Sequence, residues 1–426
     1  MNKKLSNIFK GDKAIWMVFF FLCIISIVEV FSASSELTYK GGNYMTPIIK
    51  HAGILVIGFC GMLFTLNIDC KYFKILTPFL IAFSAVCLIL VFAIGQSTNG
   101  ASRWIPVMGF QFQPSEVAKG TIVLVTAQIL SAMQTDKGAD RNAMKYILMI
   151  TLPFIVVIGL ENLSTAALIC AIVFGMMIVG RIPAKQIWKM VTTVMLMGVL
   201  AFGTVMLFGE DTEDTPPEKN LTEQTLADGQ TVSTVKPAGH KGALHRLDTW
   251  KARINKFCTS KDIPPEEVDL DKDSQEAHAK IAIATCNIIG KWPGNSVQRD
   301  FLSQAFSDFI YAIIIEEMGI EGAFVVAFLY IVLLFRTGRI ANQCENSYPA
   351  FIAMGLAMLL VVQALFNMCV AVGLVPVTGQ PLPLVSKGGT STIMSCIYIG
   401  IILSVSRTAK KKDSTTANQQ RAVATA

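Results

Sequence analysis

The chain has 426 residues, of which 53% are hydrophobic and 15% are charged, and its mean hydropathy is +0.53. Soluble domains carry about a quarter charged residues, so this composition excludes an ordinary soluble enzyme and indicates a membrane protein. No nucleic-acid partner is expected. The ten cysteines show no metal-binding spacing. Cys258 and Cys286 would form a disulfide or remain free thiols.

Ten apolar stretches reach the length of a membrane-spanning helix, roughly 20 residues. The predicted fold class is therefore an all-α polytopic membrane protein with about ten transmembrane helices. The whole chain, 1–426, is predicted to be one integral membrane domain with a large extracytoplasmic loop, 209–307, between helices 7 and 8, and a basic cytoplasmic tail, 407–426. The stretches lie near 14–33, 49–67, 75–95, 117–133, 146–160, 163–180, 188–208, 310–335, 348–374 and 390–406.

The basic residues collect in alternate loops, and this sets the predicted orientation. Loops that follow even-numbered helices share one side of the membrane with the N-terminal segment. By the positive-inside rule that side is the cytoplasm, and both termini are predicted to lie in it. The loops concerned are 1–13, 68–74, 134–145, 181–187, 336–347 and 407–426, and their basic residues include Lys10, Lys71, Arg141, Arg181, Arg336 and Arg407.

The segment 99–120 places polar residues at the entrance of the fourth predicted helix. Pro114 suits the first turn of that helix, where its missing N–H would have no partner. Lys119 follows Glu116 by three residues, so the two side chains would share one helical face. They would contact a substrate or neutralise each other as an internal pair. The candidate substrate-binding residues of this segment are Arg103, Ser115, Glu116 and Lys119.

The large loop offers two further groups of candidates. Its first part, 209–242, is rich in Thr, Glu, Gly and Pro and is predicted to be mobile. Residues 243–257 have the pattern of an amphipathic helix at the membrane surface, with Arg246 and Arg253 between apolar positions. This helix would touch the substrate or simply cover the surface. Later in the loop, Asn295 and Ser296 form a predicted turn with Gly294.

The last extracytoplasmic segment, 367–392, contains three prolines and a Gly388-Gly389 pair, which forbid a continuous helix. Non-helical backbone at membrane depth must be buried in protein or line a wet cavity. Consecutive backbone N–H groups form natural anion sites. We therefore expect Ser386, Lys387 and the two glycines to hold an anionic group such as a phosphate.

Three acids accompany the eighth apolar stretch, "SDFIYAIIIEEMG", residues 307–319. A charge inside the bilayer costs about 2.5 to 3.5 kcal/mol on insertion scales, so such acids indicate function. If the stretch is one continuous helix, Glu316 lies roughly 80° around and about 12 Å deeper than Asp308, and Glu317 lies on the opposite face. Asp308 is then the candidate catalytic residue at the outer mouth, or a helix cap, whereas the two glutamates are expected to hold the helix bundle together or to tune it.

Three long segments resemble the SEDS family of cell-wall polymerases, which contains the FtsW, RodA and SpoVE proteins. They are "GASRWIPVMGFQFQPSEVAK", "PGNSVQRDFLSQAFSDFIYAIIIEEMGIEG" and "GLVPVTGQPLPLVSKGGTS". The resemblance spans nearly the whole chain. It implies a ten-helix peptidoglycan glycosyltransferase that polymerises lipid II outside the cytoplasmic membrane and releases undecaprenyl pyrophosphate.

The resemblance also implies residue roles. The family's proposed catalytic aspartate matches Asp308, and two functionally important basic residues match Arg103 and Lys119. The chain departs from the family pattern where L-P-E-A-H reads "LSQAF", so that Phe306 replaces a histidine, and where Lys387 replaces the aromatic residue of S-x-G-G. P-D-x-G-T reads "ENLST" here.

The residue types suit glycosyl transfer. One carboxylate, Asp308, would act as general base on the acceptor hydroxyl, and its partly desolvated position would make it a stronger base. Cations would stabilise the departing pyrophosphate, and a single displacement would invert the anomeric centre. A divalent cation (Mg or Mn) would share that task, but no set of oxygen ligands at suitable spacing predicts a metal site. The cations proposed are Arg103, Lys119, Lys387, Arg246 and Arg253.

Two other classes of function remain open. A lipid II flippase or transporter would also bury charges in a polytopic bundle, and Glu29, Glu316 and Glu317 favour that reading. A scaffold that recruits a partner is the third. Within the family, the sequence of residues 294–319 resembles that of the division members more than that of the elongation members. The division role implies a class B penicillin-binding transpeptidase and other divisome proteins as partners, and a location at the division septum of the bacterial cytoplasmic membrane.

Overall fold

The computed structural model describes residues 9–33, 45–94, 96–98, 101–107, 110–136, 138–208, 221–225, 231–235, 274–302 and 306–424. The predictions made for the helix at 243–257, including Arg246 and Arg253, and for a pairing of Cys258 lie outside these residues.

Ten helices of the described chain coincide with the ten predicted spans, and an eleventh, short helix lies in the large loop. They are α1 (Lys13–Ala33), α2 (Met45–Asn67), α3 (Cys70–Ile94), α4 (Pro114–Ala132), α5 (Ala143–Glu161), α6 (Leu163–Val179), α7 (Ala184–Phe208), α8 (Ser274–Ala284), α9 (Ile310–Asn342), α10 (Ser347–Ala371) and α11 (Thr390–Ala424). Seven of them, α1, α2, α3, α5, α9, α10 and α11, are long and apolar enough to cross a membrane, and α6 is apolar but shorter. The predicted class, an all-α polytopic membrane protein, is confirmed.

Short antiparallel strands occupy some of the connections. β1 (Gln96–Thr98), β2 (Ala101–Val107) and β3 (Phe110–Phe112) form a three-stranded meander that leads into α4. Two smaller hairpins pair β4 (Gln134–Thr135) with β5 (Gly138–Ala139), and β6 (Leu221–Thr225) with β7 (Thr231–Val235). The last hairpin lies within the stretch predicted to be mobile.

The centre of the bundle is α10. It packs against α4, α6, α9 and α11, while α2 packs along α11 and α1 along α9. The apolar spans in α10 and α11 are the most buried of the seven. One charged residue, Lys119, is among the largest fully buried side chains of this core. A buried ammonium requires partners, and it therefore marks a polar site inside the bundle.

One end of the bundle, which we call the basic face, joins the loops that the charge pattern assigned to a single side. Arg336 pairs with Asp12 at 2.5 Å and Arg407 pairs with Asp69 at 2.6 Å. Two more of these loops meet where Gln186 Nε2 donates to the carbonyl of Arg141 at 2.9 Å. Each of these contacts joins two loops that the charge pattern assigned to the same side of the membrane. The opposite end, the loop face, carries residues 96–98, 101–107, 110–113, 285–302, 306–309 and 372–389 of the described chain.

Helix α9 is interrupted at Gly319, whose φ of 68° lies in the left-handed region. A kink leaves carbonyls of the preceding turn without their helical partners. Here the segment after α8 supplies them, because the amides of Lys291 and Trp292 donate to the carbonyls of Glu316 and Glu317 at 3.0 and 2.7 Å. A Cβ on Gly319 would lie 2.1 Å from the carbonyl oxygen of Ile288. The kink and this segment therefore fit each other only with glycine at 319.

We expect Gly319→Ala to lower the thermal unfolding temperature of the purified protein, since the new methyl group meets backbone and the left-handed φ is strained for alanine. Gly338→Ala is the matched control in the same helix, because a Cβ there meets no atom within 4 Å. It should be neutral or stabilising by up to about 1 kcal/mol. Equal unfolding temperatures for the two variants would contradict the proposed fit.

Candidate active site

Asp308 lies in a short irregular segment that precedes α9. The helix begins at Ile310, and its N-cap is Phe309, with φ −108° and ψ 15°. Asp308 is therefore not part of a continuous helix with Glu316. The angular separation predicted from ideal helix geometry was wrong for this reason.

Three consecutive carbonyls fix this segment. The amide of Lys387 donates to Phe306 at 2.9 Å. The hydroxyl of Ser386 donates to Ser307 at 2.5 Å, and Nδ2 of Asn367 donates to Asp308 at 2.8 Å. The donors come from the connection after α10 and from α10 itself, so the backbone around Asp308 is set by the centre of the bundle.

The side chain of Asp308 is half-buried on the loop face. The hydroxyl of the preceding Ser307 donates to its Oδ1 at 3.1 Å. A carboxylate with this exposure remains a proton acceptor that an outside molecule can reach. The geometry suits a general base.

A cation lies beside the same segment. Nζ of Lys387 is 4.7 Å from the centre of the Phe306 ring, a cation–π contact. Burial lowers the pKa of Lys387, and the positive charge of the exposed Lys50 on α2 lowers it further. Lys387 thus lies beside residue 306, and Lys50 is near enough to Lys387 to repel it electrostatically. Such a pair is suited to attract an anion.

The connection 372–389 is irregular, as its prolines and glycines predict, and it enters the bundle. Val385 and Ser386 are almost completely buried. The carbonyl of Val385 accepts a hydrogen bond from Ser26 of α1 at 2.7 Å, and Ser26 is also bonded to Nε2 of His51 at 2.8 Å. Because the one hydroxyl proton goes to Val385, His51 donates from Nε2. These contacts pair the irregular backbone with protein, as membrane depth requires.

The anion site predicted in this connection is not formed as expected. The amide of Lys387 donates to Phe306 and that of Gly388 donates to the carbonyl of Ser386, both at 2.9 Å. The Ser386 hydroxyl donates to Ser307 and accepts from the amide of Leu382 at 2.8 Å. Since the amides of Lys387 and Gly388 and the Ser386 hydroxyl are occupied, the connection positions residues 306–308. The Lys387 ammonium stays a candidate for anion binding.

Lys119 and Glu116 form the internal pair that the sequence left open. Their charged atoms are 2.8 Å apart, and both side chains are buried. Lys119 also donates to Oε1 of Gln363 on α10 at 2.7 Å, and Nε2 of Gln363 donates to the carbonyl of Pro381 at 3.0 Å. The burial favours the internal pair over direct substrate contact. Through Gln363 the pair supports the same connection that holds Asp308.

Two other candidates lie near α4. Arg103 belongs to β2, and its side chain is outside what the structure describes. Ser115 is half-buried in the first turn of α4, directly after Pro114 at the predicted helix start. Their roles in substrate binding stay predictions.

The Glu316 side chain anchors residues 291–298 to α9. Its carboxylate accepts from Nζ of Lys291 at 2.7 Å, from the hydroxyl of Ser296 at 2.5 Å and from the amides of Val297 and Gln298 at 3.1 and 3.3 Å. Asn295 closes the same turn, since its Nδ2 donates to the carbonyl of Lys291 at 2.9 Å. Ser296, a predicted substrate ligand, is therefore engaged in the fold.

Glu317 joins the same segment to α1. Its Oε1 accepts from the hydroxyl of Ser32 and from the amide of Ser296, the latter at 3.3 Å. Nη1 of Arg299 lies 4.0 Å from this oxygen. Both glutamates are fully buried, and both bind residues within 291–299. Glu317 thus joins α9 to α1, whereas Glu316 holds the loop segment 291–298 against α9.

The sequence profile of the "Cell cycle protein" family, FtsW/RodA/SpoVE, matches residues 12–211 and 241–411. The chain belongs to this family. Relatives from Geobacter sp. strain M18 and Geobacter metallireducens are 29% and 28% identical over 399 and 407 residues, and both are named probable peptidoglycan glycosyltransferase FtsW. The matches cover 93% and 94% of this chain and 96% of each relative.

Two solved structures share the fold of this family member. One is a chain of a peptidoglycan synthase complex described as coordinating polymerization and crosslinking, with a TM-score of 0.65. The other is the rod shape determining protein RodA of Thermus thermophilus, with a TM-score of 0.60. Each is 20% identical, and each match covers 94% of this chain and 98% of the other.

Several residues of the site were not predicted from the sequence. Gln363 and Asn367 stand one helical turn apart in an apolar stretch, and both are almost fully buried. Uncharged polar residues in a membrane span are costly unless they are bonded, and their spacing of four was a usable signal. Gln380 and His51 carried no such pattern.

Among the described residues, no group of three or more His, Cys, Asp and Glu side chains is placed to hold a metal ion. The divalent cation considered from the sequence stays a prediction.

Glu316→Gln and Glu29→Gln make the same chemical change at two fully buried positions. Glu316 accepts four hydrogen bonds, whereas neither carboxylate oxygen of Glu29 has a hydrogen-bond partner among the described residues. Breaking a buried charge pair costs about 3–5 kcal/mol of stability, so Glu316→Gln should unfold at a clearly lower temperature than the wild type. Glu29→Gln should unfold at the wild-type temperature or above it. The reverse order would refute the anchoring role of Glu316.

Proposed function

We propose that this chain is a peptidoglycan glycosyltransferase that polymerises lipid II into glycan strands at the loop face and releases undecaprenyl pyrophosphate. The observation that carries the proposal is the half-buried carboxylate of Asp308 on a fixed backbone, with the Lys387 ammonium over the ring of Phe306, two residues earlier. Family membership and the names of the Geobacter relatives support the same activity.

In the proposed reaction, Asp308 takes the proton of an acceptor sugar hydroxyl as its oxygen attacks the anomeric carbon of the donor. The bond between that carbon and the lipid-linked pyrophosphate breaks, and the pyrophosphate leaves with the electron pair. Lys387 and Lys50 stabilise the negative charge that develops on it. One displacement inverts the anomeric centre, and a single carboxylate suffices as base.

We place the loop face outside the bacterial cytoplasmic membrane and the basic face with both termini in the cytoplasm, in accordance with the positive-inside rule. A class B penicillin-binding transpeptidase and other divisome proteins are the proposed partners, and the division septum is the proposed location. A fluorescent fusion at midcell would support this division role, whereas labelling of the side wall would support an elongation role.

A lipid II flippase is the competing function, and its support from the sequence was the set of buried acids. Glu316 and Glu317 bind residues 291–299 and α1 in the structure, which explains their burial without transport. Transport of labelled lipid II across vesicle membranes, with no polymer formed, would favour the flippase.

Asp308→Asn should reduce polymerisation of fluorescent lipid II by the purified protein by about 100-fold or more, the range expected for loss of a general base. Asp300→Asn is a suitable control, since Asp300 is exposed and pairs with Arg299 at 3.4 Å. It should retain wild-type activity. Equal polymer from Asp308→Asn would eliminate the proposed mechanism.

The charge of Lys387 should limit activity at high pH. Burial lowers the pKa of Lys387. The side chain is charged when the pH is well below this pKa, and as the pH rises it loses its charge at a lower pH than an ordinary lysine does. Activity should fall over the same interval. Lys387→Arg keeps a charge at this position, so the alkaline limb of the rate profile should move to higher pH, whereas Lys71→Arg on the basic face should leave it unchanged. An unchanged limb in Lys387→Arg would exclude Lys387 from charge stabilisation.

A further inference from the structure

Asn367 contacts the backbone of the candidate base from the centre of the bundle. It lies on α10, and its side chain is 1% exposed. The two hydrogens of its Nδ2 go to the carbonyl of Asp308 at 2.8 Å and to the carbonyl of Gln380 at 2.7 Å. One side chain thus joins the segment before α9 to the connection after α10.

The contact continues to a fourth element. Nε2 of Gln380 donates to Oγ1 of Thr165 at 2.7 Å, and Thr165 lies in the first turn of α6. The amide of Thr165 is itself capped by Oδ1 of Asn162 at 3.2 Å. Asp308 is therefore connected, bond by bond, to the N-terminus of α6.

The position requires an amide. Only a group with two N–H donors on one atom can serve both carbonyls, and neither aspartate nor an apolar residue supplies them. Oδ1 of Asn367 has no hydrogen-bond partner among the described residues. Burying a polar atom in this way is costly, so the fold retains Asn367 at an energetic cost for the sake of its two donors.

We propose that Asn367 is a positioning residue for the Asp308 carboxylate, and that Ser386 assists it through Ser307. The proposal rests on the proposed role of Asp308 as general base. Asp308 precedes α9, and the carbonyls of residues 306–308 accept hydrogen bonds from Lys387, Ser386 and Asn367. These donors orient the backbone from which the Asp308 carboxylate extends. A displacement of about 1 Å in a reacting group lowers a rate by about 100-fold.

The test is steady-state polymerisation of fluorescent lipid II by the purified full-length protein. Asn367→Ala should lower kcat by about 100-fold and leave KM for lipid II within about threefold of wild type, because the side chain acts on the base and does not touch the substrate. Ser386→Ala should lower kcat in the same way. Ser395→Ala is its matched control, since Ser395 is also buried but donates to Ser391 within α11.

Thr165→Val provides a milder variant if Asn367→Ala does not fold. It preserves the shape of the side chain and removes the acceptor for Gln380, so kcat should fall several-fold with KM unchanged. A raised KM with unchanged kcat in these variants would overturn the proposal, because it would indicate substrate binding.

Wild-type kcat in folded Asn367→Ala or Thr165→Val would also overturn it. The activity of Asp308→Asn distinguishes a failure of the proposed base from a failure of its proposed positioning residue. If Asp308→Asn is inactive and the positioning variants are fully active, only the role of Asn367 fails; if Asp308→Asn is active, the proposed mechanism fails with it.

Discussion

The hydrogen bonds between residues 306–308 and the connection 372–389 are the constraint on which the site depends. Irregular backbone inside a membrane protein persists only where its polar groups are paired, and here two irregular segments pair with each other. Ser386 and the amide of Lys387 serve the first segment. The same bonds place the Lys387 ammonium beside the segment that carries Asp308. The base and the cation are therefore positioned by one set of contacts.

A second set of contacts explains the burial of Glu316 and Glu317. The kink at Gly319 releases the carbonyls of Glu316 and Glu317, and the amides of residues 291 and 292 replace their lost partners. The two side chains then bind the turn that follows. Buried carboxylates in a membrane span usually indicate function. In this chain their function is to hold a loop-face segment against α9 and α1, close to the segment that carries the candidate base.

Much of the fold could be predicted from the sequence because lipid imposes a simple rule. Each run of about 20 apolar residues becomes a helix, and Pro114 marks the start of α4 as its missing N–H predicts. The prolines and glycines after α10 correctly indicated irregular backbone. These signals are local, so no partner from elsewhere in the chain was needed to read them.

The site was harder to predict because its contacts are distant in sequence. Lys119 and Gln363 are 244 residues apart, and no spacing rule connects them. The relation between Asp308 and the glutamates was misjudged because a continuous helix was assumed through residue 308. The glycine at 319 carried a signal for a kink, but glycine is also tolerated in straight membrane helices, and only the contact with residues 288–292 decides between these outcomes.

Two of the departures from the family pattern, Phe306 and Lys387, are in contact, and their chemistry is complementary. A lysine in a half-buried position near a second cation needs a favourable electrostatic environment, and the face of an aromatic ring supplies one. The ring contact uses none of the three N–H donors of the ammonium. Holding Lys387 over Phe306 allows a cation to lie near the base while its donors remain suited to a phosphate oxygen.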